Sequence, residues 1–398
     1  MGGLRASALA EEFGTPLVAY CRNTLLARAR AYARVDPEAL VVYGTKAFPN
    51  VFLLRLLAAE GLGADVSTRG ELEFALRAGI AGDRLVFHGN NKSDEELAAA
   101  AKAGALVVLD SLEECARAAR AGVKTVLIRV TPAIEAETHR AIQTAHAESK
   151  FGLVADDALA AVRNALASGL DVGGLHVHIG SQLTSSAQSL LAVERLTDVA
   201  HDCRQELGWS ARVFDLGGGL AVRHALGDNP LPEPHEFAGE LVRRLRERWT
   251  EPARVILEPG RSLVGQAGLT LYRVGAVKRT SGVAYAAIDG GMSDNPRPQL
   301  YGARYEALLA NRATEPATGS YRIAGKHCES GDVLIDGVEL PEPHRGDLLA
   351  VPATGAYTLA MASNYNGVPR PAAVLVGDGR AELIRRREST DDLLRFEP

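Results

Sequence analysis

The sequence predicts an α/β protein in which a (β/α)₈ barrel is combined with a mostly antiparallel β domain. Two observations predict this. Short β-branched runs alternate with helical stretches over the first part of the chain, and turn-linked strands with few helices follow them. Regular strand–helix alternation is typical of parallel strands joined by crossover helices. An open doubly wound sheet is the alternative, but the GxGxxG turn expected after its first strand is absent from the sequence.

The barrel is predicted from eight short strands between about Asn23 and Arg261. They are Val41–Tyr43, Ala64–Val66, Leu85–Phe87, Leu106–Leu109, Val126–Val130, Leu175–Ile179, Val213–Phe214 and Val255–Leu257. The series spans roughly 240 residues, which is close to the usual size of such a barrel. Two of the intervening helices are predicted to begin with capping boxes, at Ser93–Glu96 and Ser111–Glu114.

The pattern changes after about Gly265, where strands are linked by Gly, Pro and Asp turns. The predicted strands are Leu269–Val277, Val283–Ile288, Val333–Leu340, Asp347–Val351 and Ala372–Val376. The early run Pro16–Cys21 precedes the barrel and is assigned to this β domain. We therefore expect a barrel domain over residues 23–264 and a β domain formed by residues 1–22 and 265–398.

Composition excludes several classes of protein. The 398 residues include 44 Lys and Arg against 49 Asp and Glu, a net charge of −5, and 46% are hydrophobic. This balance is ordinary for a globular protein and gives no electrostatic reason to expect nucleic acid or a membrane as partner. No apolar run approaches the ~18 residues of a membrane span. The N-terminus lacks the apolar core of a signal peptide, and the four cysteines show no metal spacing, so we expect a cytoplasmic protein.

Active sites of (β/α)₈ barrels lie at the carboxyl ends of the strands. Polar or glycine residues follow the predicted strands at Lys46, Asp65, His88, Asp110, Arg129, His176, His178, Gly217–Gly219 and Glu258–Arg261. Lys46 alone could be a solvated surface lysine or an amine that forms a Schiff base. The glycines after the seventh strand, with Gly260 and Arg261 after the eighth, lie where barrels often bind phosphate.

His176 and His178 lie on one face of their predicted strand. A metal site would need further ligands, and Asp65 is the one candidate, so we expect no metal and a histidine that packs flat against an aromatic ligand. Glu258 could pair with a cation such as Arg261, or it could keep a ring nitrogen protonated. A lysine, a phosphate-binding loop, a flat histidine and a ring-directed carboxylate together match the needs of pyridoxal 5′-phosphate.

A set of motifs then occurs in one order from about residue 8 to residue 380. They are Tyr43–Ala47, Gly63–Ser67 with Gly70–Leu72, His88–Lys92, Ser149–Gly152, His178–Gln182, Gly217–Gly219, Glu258–Ser262, Asp294–Pro298, Cys328–Asp332, and Gly355–Tyr357 with Ser363–Asn366. Together they resemble the diaminopimelate decarboxylase family, one of the barrel-type pyridoxal-phosphate decarboxylases that also include ornithine and arginine enzymes.

The resemblance implies roles for individual residues. Lys46 would carry the cofactor and Cys328 would return a proton to Cα. The implied cofactor-binding set is Lys46, Asp65, His178, Ser181, Gly217, Gly218, Gly219, Glu258, Pro259, Gly260, Arg261 and Tyr357. The implied substrate-binding set is Arg261, Arg297, Tyr301, Glu329 and Tyr357. Because the Cys328–Asp332 loop comes from the partner subunit in this family, a homodimer with shared active sites is also implied.

The implied reaction is the decarboxylation of meso-2,6-diaminopimelate to L-lysine and CO₂, the last step of lysine biosynthesis. One alternative is a related decarboxylase acting on ornithine, arginine or carrier-bound glutamate. Another is a racemase, which would need a second base on the opposite face of the ring. A non-enzymatic pyridoxal-phosphate protein is a third, but it predicts loss of the lysine or the phosphate loop, and both are present.

Overall fold

The computed structural model describes residues 1–132, 149–225 and 227–398. Contacts divide the chain into two compact units. One, which we call the barrel unit, contains Leu26–Ala221 and Leu231–Ser262; the other, the β unit, contains Met1–Leu25, Val222–Pro230 and Leu263–Pro398. In the described ranges, we find no helix that combines the length and the apolar character needed to cross a membrane.

The barrel unit is built on a closed barrel of parallel strands, β2 to β9, which follow β1 (Leu17–Cys21) along the chain. These strands are Leu40–Gly44, Gly63–Val66, Leu85–Phe87, Leu106–Leu109, Thr125–Val130, Asp171–Val177, Val213–Asp215 and Arg254–Leu257. Apolar side chains of β2, β4, β5, β6 and β9 form a buried core cluster, namely Leu40, Val42, Val86, Val108, Leu127 and Ile256. The predicted fold class, a (β/α)₈ barrel with a mostly antiparallel β domain, is confirmed.

Strand β7 lies further towards the N-terminus than the sequence pattern predicts. It runs over Asp171–Val177 rather than Leu175–Ile179. Gly173 and Gly174 weaken the strand pattern, because glycine has a low preference for strands. Here the glycine is required by packing: a Cβ at Gly174 would lie 1.7 Å from the carbonyl oxygen of Val213 in β8. Strand β7 ends at Val177, so His178 lies directly after the strand.

Helices α2 to α9 accompany the barrel strands and follow α1 (Ala6–Phe13). They are Arg22–Ala33, Val51–Ala59, Arg69–Arg77, Asp94–Ala103, Glu114–Arg120, Ala155–Ala167, Ala187–Leu207 and Pro234–Arg248. The capping box of Ser93 and Glu96 at the start of α5 is confirmed. The second predicted box is wrong, because α6 begins at Glu114 without a side-chain cap. The Glu114 carboxylate instead accepts from the Asp110 N–H at 2.8 Å and from Lys92 Nζ at 2.8 Å.

The β unit contains one mixed sheet in the order β14-β13-β11-β10-β1-β16-β17, with β15 pairing with both β10 and β12. Strands β10 to β17 are Gly268–Thr280, Val283–Ile288, Leu308–Leu309, Gly319–Ala324, Val333–Leu340, Leu348–Pro352, Ala372–Gly377 and Arg380–Arg385. Within this sheet, β1–β16 and β11–β13 are the parallel pairs, and the other described pairs are antiparallel. Short helices α10 to α12 lie at Arg261–Val264, Arg297–Tyr301 and Thr390–Leu394.

Three strands of this sheet escape the sequence pattern: β12, β13 and β17. Strand β12 has only two residues. Strand β17 lies at the edge of the sheet and buries a single side chain, Ile384, so it lacks the apolar alternation that predicts a strand. Strand β1 pairs with β10 and β16 in the interior of the sheet.

Candidate active site

Lys46 lies in a short 3₁₀ turn, Thr45–Ala47, directly after β2. Its two neighbours in the chain are fully buried, and the Thr45 hydroxyl donates to the Asp65 carbonyl at 2.7 Å, so the turn is fixed to β3. The Lys46 side chain itself is 52% exposed, with Nζ 3.7 Å from the Asp65 carboxylate. Burial raises the pKa of Asp65, although Lys46 and His88 oppose this. The barrel therefore presents an accessible amine on a rigid base.

Glu258 follows β9 directly, and its carboxylate is buried against two imidazoles. His88 Nε2 lies 2.5 Å from Oε1, and His176 Nε2 lies 3.4 Å from Oε2. The two imidazole rings pack edge to face at 4.8 Å. Burial disfavours the carboxylate, but the two imidazoles outweigh burial and hold the pKa of Glu258 well below its usual range. Glu258 is therefore an ionised anion fixed in the barrel interior.

Asp215, the last residue of β8, completes this cluster. Its ligand atoms lie within 4.8 Å of those of His88, His176 and Glu258. Burial and the neighbouring Glu258 raise the pKa of Asp215 well above its usual range, so Asp215 holds its proton more tightly than Glu258 does. Burial also lowers the pKa of His176 to about 4, which leaves this imidazole neutral at physiological pH.

The two histidines around β7 have different surroundings. His176 faces Glu258, whereas His178 accepts a hydrogen bond at Nδ1 from the Gly218 N–H at 3.2 Å. Burial and the nearby Lys46 hold the pKa of His178 well below its usual range, so this imidazole is neutral. Four residues of metal-ligating type thus meet, but His178 is not among them; the absence of a metal remains a prediction.

Neighbouring backbone lies so close to Gly217, Gly218 and Gly219 that a side chain at any of these positions would clash with it. Gly217 and Gly219 have φ of 65° and 116°, in the left-handed region that favours glycine. A Cβ at Gly218 would lie 2.2 Å from the carbonyl oxygen of Glu258. The N–H groups of Gly217 and Gly218 are directed at Asp215 and His178 respectively. These glycines therefore shape the loop and orient the imidazole of His178.

Arg261 provides a buried cation at the same end of the barrel. Its Nε and Nη2 donate to the Ser181 hydroxyl at 3.3 and 3.2 Å. Pro259 and Gly260 bring the chain from Glu258 to this arginine, and the Pro259 carbonyl accepts from the Gly44 N–H at 3.1 Å. A guanidinium beside a hydroxyl in a glycine-lined loop suits an anion such as a phosphate.

The β unit brings together three of the residues implied in substrate binding. The guanidinium of Arg297 lies 5.6 Å from the ring centroid of Tyr301 and 6.0 Å from that of Tyr357. Its Nε also donates to the hydroxyl of Tyr305 at 3.0 Å, a residue to which the sequence analysis gave no role. Tyr357 has a φ of 59°, which is rare for an aromatic residue and indicates backbone strain of the kind found at functional sites.

Cys328 and Glu329 lie on an exposed loop of the β unit. The Cys328 N–H donates to Oδ1 of Asn366 at 3.0 Å, and the hydroxyl of Tyr365 donates to Oε2 of Glu329 at 3.4 Å. Both side chains are accessible, as a thiol or carboxylate acting on a ligand must be.

Known proteins are similar to this chain in sequence and in fold. The family model described as pyridoxal-dependent decarboxylase, pyridoxal binding domain, matches residues 22–265. Diaminopimelate decarboxylases of Actinosynnema pretiosum subsp. auranticum and Bacillus subtilis (strain 168) are 44% and 41% identical to the chain. These alignments cover 100% of this chain and 92% and 94% of the relatives. The chain belongs to the diaminopimelate decarboxylase family.

Solved structures of the diaminopimelate decarboxylase family agree. The enzyme of Helicobacter pylori complexed with L-lysine has a TM-score of 0.92 and 31% identity, covering 98% of both chains. The enzyme of M. jannaschii in co-complex with L-lysine has a TM-score of 0.91 and 32% identity, covering 99% of this chain and 94% of that one.

The barrel residues fit pyridoxal phosphate, the cofactor of these decarboxylases. The test is the donor set: an accessible amine at Lys46, an ionised buried carboxylate at Glu258, a neutral imidazole at His178 and a buried guanidinium at Arg261. Each matches one part of the cofactor, respectively the aldehyde, the pyridine nitrogen, the ring face and the phosphate.

His88 and His176 are recognisable at strand ends in the sequence, but their role in the site is not, and Asp215 is not recognisable from the sequence pattern. All three lie at the carboxyl end of a barrel strand, which is the same feature that identified Lys46. Their contacts join β4, β7, β8 and β9, and such contacts depend on the closure of the barrel.

Proposed function

We propose that this protein decarboxylates meso-2,6-diaminopimelate to L-lysine and CO₂ with pyridoxal phosphate in a barrel domain over residues 23–264. The observation that carries the substrate choice is Arg297, a buried guanidinium. Among the described residues, no carboxylate pairs with it; its contacts are the hydroxyl of Tyr305 and the faces of Tyr301 and Tyr357. A buried cation without a counter-ion is costly, and a substrate carboxylate would supply the missing charge.

In the barrel unit, Lys46 would bind the cofactor aldehyde, and Asp65 would keep its amine in place. When bound, the pyridoxal ring accepts the electron pair left as CO₂ departs from Cα. Glu258 would hold a proton on the ring nitrogen, because an ionised carboxylate favours the charged form of a basic partner. His178, whose imidazole is neutral, would pack against the ring. The phosphate would be bound by Ser181, by Gly217, Gly218 and Gly219, and by Gly260 with Arg261, while Pro259 and Tyr357 are the remaining residues of the implied cofactor-binding set.

Diaminopimelate carries an amino group and a carboxylate at its distal end, and these need partners of opposite charge. Arg297, with Arg261 where the phosphate leaves it available, would bind carboxylate. Glu329 would bind the amino group. Tyr301 and Tyr357, which lie beside the guanidinium of Arg297, would also contact the substrate. Cys328 would return a proton to Cα. Its thiol is exposed, and it is adjacent in sequence to Glu329.

We infer that the protein is a cytoplasmic homodimer in which Cys328 and Glu329 complete the site of the partner subunit. Two observations support this. Both side chains are exposed in the single chain, and a decarboxylation site needs to exclude water around them. All four cysteines are free, which suits a reducing compartment.

The substrate assignment is tested by comparing diaminopimelate with lysine and ornithine on the parent enzyme and on Arg297→Ala. Lysine and ornithine lack the distal carboxylate and would leave the guanidinium unpaired. That costs about 2–5 kcal/mol, or on the order of 30- to 5000-fold in kcat/KM. The parent should therefore strongly prefer diaminopimelate, and Arg297→Ala should reduce that preference by harming diaminopimelate most.

Arg304→Ala, which removes an exposed arginine of the same segment, is the matched control and should leave the preference unchanged. An equal loss for all substrates in Arg297→Ala would show that Arg297 is structural. Lysine turning over as well as diaminopimelate on the parent would exclude diaminopimelate as the preferred substrate.

The shared site is tested by mixing inactive Lys46→Ala with inactive Cys328→Ala chains. Mixed dimers would have one intact site, with Lys46 from one subunit and Cys328 from the other. Random exchange makes half the dimers mixed, so activity should recover to about a quarter of the parent value. No recovery after proven subunit exchange would assign both residues to the site of one chain.

A further inference from the structure

The loop that carries Cys328 and Glu329 is joined to a short turn, Tyr365–Gly367, of the same unit. Asn366 Oδ1 accepts from the Cys328 N–H at 3.0 Å, and the Tyr365 hydroxyl donates to Oε2 of Glu329 at 3.4 Å. The ring of His327 stacks on the ring of Tyr365 with centroids 5.7 Å apart and planes inclined by 18°. Three consecutive loop residues thus meet two consecutive turn residues.

The base of the loop is fixed independently of this turn. The buried carboxylate of Asp332 accepts from the N–H of His327 at 3.0 Å, from its Nδ1 at 2.7 Å, and from the N–H of Met292 at 2.7 Å. These bonds hold the ends of the loop. They leave the orientation of the exposed residues Cys328 and Glu329 to other contacts.

Asn366 has an unusual backbone conformation. Its φ of 54° and ψ of 24° lie in the left-handed region, which few residues other than glycine adopt and which asparagine tolerates best. Asn364, two residues before Asn366, anchors the start of the turn. Its Nδ2 donates to Glu388 Oε2 at 2.7 Å and to the Val368 carbonyl at 3.1 Å. The turn is therefore a fixed support whose shape brings the Asn366 amide oxygen to the Cys328 N–H.

We propose that Asn366 and Tyr365 are positioning residues for the reaction. Asn366 fixes the backbone at Cys328 and so places the thiol, while Tyr365 orients the carboxylate of Glu329. This rests on the proposed function, in which Cys328 returns the proton and Glu329 binds the distal amino group. Loss of the Asn366 contact should therefore lower kcat, and loss of the Tyr365 hydroxyl should raise KM.

The test uses the holoenzyme with Asn366→Gly, Asn366→Asp and Tyr365→Phe. Glycine keeps the left-handed backbone but removes the acceptor, whereas aspartate keeps an acceptor oxygen. We expect Asn366→Gly to lower kcat about tenfold with KM within twofold of the parent, and Asn366→Asp to recover most of that loss. Tyr365→Phe should raise KM about three- to tenfold with little change in kcat.

Asp378→Gly is the matched control, because Asp378 is another exposed residue with a left-handed φ, 52°, in the turn between β16 and β17. It should leave kcat and KM unchanged. A kcat of Asn366→Gly equal to the parent, or an equal loss in the glycine and aspartate variants, would overturn the role of Asn366. An unchanged KM in Tyr365→Phe would overturn that of Tyr365.

A second measurement does not depend on the substrate. Iodoacetamide labelling of the holoenzyme, followed by peptide mass spectrometry, reports on Cys328 because Cys115 and Cys203 are buried and Cys21 is half-buried. In Asn366→Gly, the labelling rate of Cys328 relative to Cys21 should change at least threefold, and Asn366→Asp should restore it. A proportional rise at both cysteines would indicate general loosening and would overturn the proposal. If the parent decarboxylates no amino acid, the proposed function fails, and the labelling ratio still decides the placement of Cys328.

Discussion

Two glutamates, one in each unit, show how differently the chain holds charged groups. Glu258 in the barrel unit is 8% exposed and meets two imidazoles, whereas Glu329 in the β unit is exposed and meets a phenol at 3.4 Å. Charged contacts in a buried environment are only weakly screened, whereas an exposed contact contributes about 0–1 kcal/mol. The ionisation of Glu258 is consequently fixed by the fold, and the position of Glu329 depends on its loop.

The backbone shows the same contrast. In the barrel unit, the residues of the site lie at the ends of regular strands. In the β unit, Ala353, Tyr357 and Asn366 adopt left-handed conformations near the residues implied in substrate binding. Such conformations cost about 1–3 kcal/mol each and persist where the surrounding structure imposes them. The barrel unit thus places most of these side chains next to strand ends, with a left-handed residue at Gln182 beside Ser181, whereas the β unit places its side chains by irregular turns.

The largest expected effect is that of Lys46→Ala, which breaks the barrel side of the comparison. The variant should lose the absorbance band of the lysine-bound cofactor near 420 nm (roughly) and several orders of magnitude in rate, since the amine both anchors the cofactor and exchanges with substrate. Lys102→Ala, which removes an exposed lysine of α5, should change neither. An unchanged spectrum in Lys46→Ala would exclude Lys46 as the cofactor lysine.

Glu258→Gln and Glu329→Gln sharpen the comparison because both remove a charge while keeping the shape. Glu258→Gln should lower kcat roughly 10²–10³-fold, as expected when one preorganised electrostatic contact is lost. Glu329→Gln should act mainly on KM. Steady-state kinetics of both variants give the answer, with Glu73→Gln, whose side chain is 44% exposed, as control. Equal effects of Glu258→Gln and Glu329→Gln on kcat would contradict the difference that we draw between the two carboxylates.

Asp294 gives a pH-dependent prediction in the β unit. Burial raises its pKa to about 7, from an ordinary value of 3.8. Between these values the folded state keeps a proton that the unfolded state loses, so the free energy of unfolding falls as pH rises from about 4 to about 7 and is constant above that. The loss is on the order of 4 kcal/mol. Asp294→Asn should therefore gain stability relative to the parent across this window.

Thermal midpoints of the parent and of Asp294→Asn at several pH values between 4 and 8 would measure this difference. The exposed Asp336→Asn serves as the control and should show no such trend. A constant difference in midpoint between the parent and Asp294→Asn across the window would show that Asp294 is ionised in the folded protein.

The smallest expected effect concerns backbone strain. Ala353 has a φ of 57°, where glycine avoids a steric cost of about 1–2 kcal/mol but loses about 0.5–1 kcal/mol of conformational entropy, so Ala353→Gly should stabilise the protein by about 0.5–1 kcal/mol. Ala350, three residues earlier, lies in the extended strand β15, where the same change should destabilise by about 0.5–1 kcal/mol. Opposite shifts in the thermal midpoint would verify the prediction, and a lower midpoint for Ala353→Gly would refute it.

The location of a site residue could be predicted from the sequence where the residue directly follows a strand. The contacts that residues of different strands make inside the barrel could not be predicted. Lys46 and Glu258 each follow a recognisable strand, so their location needs only local pattern. Glu114 shows the opposite case. Its spacing from Ser111 predicts a helix cap, but its carboxylate instead accepts a hydrogen bond from Lys92, which is 22 residues away in the sequence. A buried ion pair outweighs a solvent-exposed cap, because an unpaired buried lysine would be far more costly.

The sequence by itself determined the eight-stranded barrel, the strand ends that carry Lys46 and Glu258, and the ordered motifs of the family. These depend on hydrophobic periodicity and on short spacings, which the linear chain contains in full. Only the tertiary structure decided that His88 and His176 ionise Glu258, and that Asn366 meets Cys328, 38 residues away. Such contacts follow from barrel closure and from turn conformations, and these are set by the packing of the whole chain.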